Sequence, residues 1–353
     1  VYPGGSIQAG IDAASPRDTV MVHCGTYQEV GIDMKPGVRL TSETGDTTCV
    51  IIDAAMGGMP VFGTIMRFTD CGDTTSLTGI TFMNAFVATP PANGGAISMV
   101  NSSPGIERIR IIGCTASQYG GGIYLEDSSP NIAESSFVGN AGVTGGGGIA
   151  CFDGSNPVIT RCEFRNNTGN VGGTILCDNS SPSISLSTLF AGGTSTQGSG
   201  LWCNSSSPTL SNVTFAGCQT GGGGGGQCVH LAYDSSPTFD NCCFMNSGLV
   251  TGPLNMAEDG ASVPTYTCCN TYGWMGAPGY GGTIADPTGT NGNIAEDPLF
   301  CDWVNWDASV DAASPNLPGH PSNTCGSLIG SESQGCDSPV EERSWGMIKA
   351  IYR

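Results

Sequence analysis

The chain has 353 residues but only two lysines, Lys35 and Lys349, and three widely separated histidines, His23, His230 and His320. Eleven basic residues against thirty acidic ones leave a formal net charge of −19. A surface so poor in Lys and Arg cannot neutralise phosphates, which excludes nucleic acid as a partner, and an anionic membrane surface is excluded on the same ground. No apolar run approaches the ~18 residues of a membrane-spanning helix, so no membrane insertion is expected. The histidines form no ligand cluster, and no Ser-His-Asp or Cys-His arrangement can be assembled. No Cys-x-x-Cys pair has zinc spacing. The glycine run Gly221 to Gly226 is not followed by Gly-Lys-Ser/Thr, which rules out a phosphate loop.

What is abundant is cysteine, glycine and a repeat. Seventeen cysteines are too many for a reducing cytosol and point to an extracellular or cell-surface address. A start at Val1 with no leader fits a mature exported chain. The odd count leaves at least one thiol unpaired or paired between chains. Turn prolines fall at Pro104, Pro130, Pro157, Pro182, Pro208 and Pro237, a period of about 26 residues typical of stacked repeat architectures. Aligned on them, one column reads Ile97, Ile123, Ile149, Ile175, Leu201, Val229, and two residues on another reads Met99, Leu125, Cys151, Cys177, Cys203, Leu231. That period-2 step marks strands with one inward face. Two further inward columns follow the proline, Ile106 to Phe239 and Ile111 to Phe244. The expected fold is all-β: a parallel β-helix solenoid of about ten coils over residues 18–299. A capping helix would precede it over residues 1–17. A Cys/Pro-rich C-terminal cap would follow over 300–337, with Cys325 and Cys336 as a disulfide loop, then an amphiphilic tail over 338–353.

The segments Ser6–Ser15, Asp18–Val22, Gly25–Tyr27 and Gly37–Leu40, together with the Gly-Gly-Ile…Ser-Ser-Pro-x-Ile coils, resemble the right-handed β-helices of the pectate-lyase-like superfamily. Cys268–Gly273 and Asp297–Asp302 resemble the closing coils of its secreted bacterial members. The resemblance implies a right-handed solenoid. Its activities range from lyase, hydrolase and esterase to none.

The residues argue against chemistry. The Asn-Thr-Asp, Asp-Asp, Gly-His-Gly and Arg-Ile-Lys motifs of family-28 glycosidases are absent, and Arg108-Ile-Arg110 is the nearest echo. Arg108, Glu134 and Arg161 stack on one outward column as a charge ladder. Asp127, Asp178 and Asp234 sit beside the turns as backbone caps, and stacked carboxylates there would also suit a calcium ion; no other cofactor is expected. No catalytic residue is assigned. An outward strip of Tyr124, Glu126, Phe152, Asp178 and Trp202 is half aromatic and half acidic, fit to stack on sugar rings or to lie under a loop or a neighbouring subunit. The stacked Cys151, Cys177 and Cys203 read as buried thiols or as a disulfide with one member over. Trp345, Ile348, Ile351 and Tyr352 give the tail an apolar face that would dock on its own rod or on a second copy. The expectation is a secreted, non-catalytic surface protein that self-assembles head to tail, as a filament subunit. The alternatives are a polysaccharide lyase or hydrolase, and a glycan-binding adhesin.

Overall fold

In the computed structural model, residues 1–56, 59–60, 62–89, 92–191, 195–221, 225–246 and 252–336 are described. The tail with Trp345, Ile348, Ile351 and Tyr352 therefore lies outside the described residues. The one α-helix among the described residues, α1 (Ile7–Ala13), opens the chain. The Ser6 hydroxyl accepts from Ala9 N–H, and the Glu29 carboxylate accepts from Ile7 N–H at 2.7 Å and Gln8 N–H at 3.1 Å, so the orphan donors of the first turn are met. Its buried face, Ile7 and Ile11, closes the first coil and protects strand edges that would otherwise be open.

After α1 the chain winds through stacked parallel strands: a ten-stranded sheet on one flank, an eighteen-stranded sheet bent round the other, and a four-stranded sheet between them. The stacking is in register. Ile97, Ile123, Ile149, Ile175, Leu201 and Val229 oppose one another along the first sheet. Ile106, Ile132, Ile159, Ile184, Leu210 and Phe239 do so on the second. These columns are fully buried, and the rings of Phe137 and Phe164 stack at 4.7 Å and those of Phe215 and Phe244 at 5.0 Å. No coil buries this surface alone; burial comes from the coil above and below.

The corners explain the polar part of the repeat. In Ser-Ser-Pro the first serine is buried, and the ladder it forms runs from Cys71 N–H to Ser102 Oγ, Ser102 N–H to Ser128 Oγ, and so on through Ser155, Ser180, Ser206 and Ser235 to Ser262, at 2.9–3.1 Å. The second position makes a ladder of opposite direction: Ser129 N–H donates to Ser103 Oγ, Asn156 N–H to Ser129 Oγ, and Ser181 N–H to Asn156 Oδ1. Each corner also has a left-handed residue. Asp70, Asn101, Asp127, Asp153, Asn179, Ser205 and Tyr233 have φ between +47° and +55°, which suits Asp and Asn and strains Tyr233. Gly147 is required for closeness, since a Cβ there would sit 2.3 Å from the Thr168 carbonyl oxygen.

Two expectations change here. Arg108, Glu134 and Arg161 form the left-handed column of another corner (φ +49° to +52°), and Arg108 pairs with Glu107 at 3.3 Å, not with Glu134. Cys325 and Cys336 are not bonded to each other: Cys325 joins Cys268 and Cys336 joins Cys301, with a third bridge at Cys24–Cys49. The reason is the path of the C-terminal segment, which runs back along the flank of the eighteen-stranded sheet. Asn316 meets Asn270, Ser327 meets Asn241 one coil back, Leu328 and Ser331 meet Asn212 and Thr214 on the coil before that, and Ser331 also reaches Thr188 one coil further. Phe300 and Trp306 close over Phe190, Ala216 and Ala308 on the same flank. Cysteines eleven residues apart on such a strap meet different partners: Cys325 reaches Cys268 on the coils, and Cys336 meets Cys301 within the small C-terminal sheet.

Candidate functional site

The outer face of the ten-stranded sheet carries two columns of side chains between the buried ones. The first reads Ser98, Tyr124, Ala150, Leu176, Trp202, His230 and the second Val100, Glu126, Phe152, Asp178, Asn204, Ala232. In the first column Tyr124 is only 8% exposed, and Ala150 and Leu176 are buried. They pack with Phe152, Trp202 and the adjoining-turn residues Tyr119 and Val171. The expected open strip is therefore a ledge: Tyr124, Ala150 and Leu176 of its first column are covered, while Trp202 and most of the second column remain partly open. Tyr119 meets Phe152 edge to face at 4.7 Å, with Tyr124 at 5.5 Å on the other side. Burial, then the nearby Glu126 carboxylate, pushes the Tyr124 phenol far above its ordinary value, so it stays a donor, to Glu126 Oε2 at 3.0 Å.

Asp178 is set by amides. Its Oδ1 accepts from Asn204 Nδ2 at 3.1 Å and from Asn179 Nδ2 at 3.2 Å, leaving Oδ2 outside these contacts. Unlike Asp127 and Asp234, whose φ values of +49° and +58° are turn conformations, Asp178 ends a strand and belongs to the face. Beside it the Trp202 indole N–H and the Asn204 amide oxygen are enclosed with no protein partner among the described residues.

One coil on lies a group that no sequence motif marks. His230 is fully buried, with Nδ1 accepting from Gly226 N–H at 3.2 Å and Nε2 3.0 Å from Glu258 Oε1. Glu258 Oε1 also accepts from Gln197 Nε2 at 3.0 Å. Burial lowers the His230 pKa more than Glu258 raises it, so the ring is neutral with its proton on Nε2. The available signal was Ser262-Val-Pro264, which continues the turn motif and the serine ladder one coil beyond Pro237, placing Glu258 in register beside the Ala232 column.

Cys151, Cys177 and Cys203 face inward as buried thiols. At the N-terminal end, Cys24, Glu43 and Cys49 bring ligand atoms within 4.8 Å of one another, with His23 Nδ1 3.1 Å from Glu43. The two sulfurs are bonded to each other, which removes them as metal ligands. No helix among the described residues is long and apolar enough to cross a membrane.

A family model described as right handed beta helix region matches residues 69–190. The chain is a right-handed parallel β-helix. Among solved structures it is similar to the A-module of a mannuronan C-5 epimerase from Azotobacter vinelandii, at 14% identity and a TM-score of 0.41, over 82% of this chain and 92% of that one. It is also similar to a PL6 family alginate lyase, at 11% identity and a TM-score of 0.38, over 81% of this chain. The match spans 49% of the lyase. No curated protein sequence matches.

Chemically, the ledge offers acceptors, an amide and aromatic faces at one-coil steps, about 4.8 Å apart. Lys and Arg are missing from it. The described arginines beyond Arg67 are Arg108, Arg110, Arg161 and Arg165, on the strands and corners of the eighteen-stranded sheet. Arg67, near the N-terminal end, is engaged by Asp33 at 2.7 Å.

Proposed function

We propose that the outer ledge of the ten-stranded sheet binds a polysaccharide lying along the rod axis, and that the protein acts at an extracellular address. The observation that carries this reading is the column Glu126, Phe152, Asp178, Asn204, which repeats hydrogen-bonding and aromatic groups at a step close to the length of one sugar unit in an extended chain, with Glu258 two coils on, past the buried Ala232. Sugar hydroxyls pair with carboxylates and amides, and the C–H face of a ring stacks on an aromatic side chain. The surplus of carboxylates favours an uncharged polymer and disfavours a polyuronate, which would be repelled. Mannuronan and alginate, the polymers after which the epimerase and the lyase above are named, are polyuronates; the ledge of this chain has the wrong sign for such a substrate.

Retention in affinity gels containing neutral polysaccharides, with polygalacturonate alongside, tests the reading. Asp178→Ala and Trp202→Ala are expected to weaken retention on a neutral polymer at least tenfold, while Arg165→Ala on the far sheet leaves it unchanged. Retention on no polymer, or retention indifferent to both ledge variants, overturns it. Assaying the same samples for unsaturated product and for new reducing ends decides whether binding is followed by cleavage. The filament expected from the apolar tail gains no support from the described residues.

A further inference from the structure

We propose that Cys242 and Cys269 close into a disulfide between successive coils when the chain folds in an oxidising compartment. The two cysteines hold the same position one coil apart: Cys243 opposes Asn270, and Asn270 N–H donates to the Cys242 carbonyl at 2.9 Å. In-register neighbours in a parallel sheet stand about 4.8 Å apart, inside the Cα range that a disulfide spans. Both side chains are buried free thiols, each within hydrogen-bonding distance of backbone carbonyls of its own coil and of the coil before, Cys242 of Asp240 and Leu210, Cys269 of Thr267 and Phe239. The molecule already contains the same relation in bonded form. Cys24 and Cys49 each stand one position before a paired strand residue, Gly25 opposite Val50, and their Cα atoms are 4.5 Å apart. Cys151, Cys177 and Cys203 stack likewise, but Cys177 has two equivalent neighbours and no single pairing is specified. Cys242 and Cys269 have no such rival in register, because Val213 precedes them in the column and Asn293 meets Cys269 from beyond.

The step is ordinary thiol–disulfide exchange. One thiolate attacks a disulfide oxidant and releases one reduced thiol. The second cysteine then displaces the other, so two protons and two electrons leave the protein as the oxidant becomes a dithiol. Burial raises the Cys242 thiol well above its ordinary value and shields it, so closure belongs to folding, as these two coils come into register, and not to the finished molecule.

The test compares the full chain purified from a reducing cytosol with the same chain exported to an oxidising compartment, both alkylated under denaturing conditions and peptide-mapped without refolding. The exported protein is expected to yield a Cys242–Cys269 linked peptide, absent from the cytosolic protein, and a higher denaturant midpoint. Cys269→Ser should abolish both differences beyond those due to the three surface bridges, which the Cys301–Cys336 peptide reports separately. Export that closes Cys301–Cys336 while leaving Cys242 and Cys269 both alkylated overturns the proposal.

Discussion

At the scale of single residues, the repeat is a device for satisfying buried backbone donors. Ser155 accepts the N–H of Ser128 inside the corner while its own N–H donates to Ser180. Ser155→Ala strands a buried donor and is expected to cost about 1–3 kcal/mol, read as a lower urea midpoint at unchanged m value. Gly147→Ala should cost more, because neighbouring backbone on two sides would have to move: Thr168 O at 2.3 Å and Gly173 O at 2.5 Å. The neutral, buried His230 sets a pH dependence. Its folded pKa is lowered, so as pH falls the unfolded chain takes up the proton first. Its contribution is complete above about pH 6.5, the ordinary histidine value, and is lost as pH falls from there toward the folded value. Urea midpoints measured from pH 8 to 5 should fall below that point in the parent, and the fall should be shallower in His230→Gln.

At the scale of elements, the inward columns were legible in the sequence because strand stacking admits one register and a slip of one residue would turn every Ile and Phe outward. The serine ladders were not, since Ser-Ser-Pro reads equally well as a turn signal, and direction along the rod is a property of three dimensions. The strip was half legible. Its columns were right, but whether a turn covers Tyr124 depends on Tyr119 and Val171, which no period places there. His230 and Glu258 were missed because they stand one coil apart with two strands between them, and only the Ser262-Val-Pro264 turn marks the coil that carries Glu258. The cysteine pairing failed because distance along a strap says nothing about what the strap crosses. That strap is a separable element. Cys268→Ser, which removes the bridge from the strap to the coils, should make residues near 303–336 sensitive to limited proteolysis while the strand signal in circular dichroism persists, because the strap's remaining hold is hydrogen bonds, the Gly330 N–H to Asn241 carbonyl bond among them, and the small Phe190–Trp306 contact.

At the scale of the whole molecule, the rod is chemically two-sided. One flank carries the described arginines beyond Arg67 and is covered in part by the strap; the other has carboxylates, amides and aromatic rings in line with the axis. A rigid solenoid with such a face suits a long ligand, because the periodicity that packs the core also spaces the surface groups. The direct measurement is hydroxyl-radical footprinting of the full chain with and without a neutral polysaccharide that retains it. Protection of Phe152 and Trp202, with Trp303 and Trp306 on the strap unaffected, is the predicted result. Protection confined to the strap flank or to the ends of the rod, with the ledge aromatics unchanged, would contradict the account.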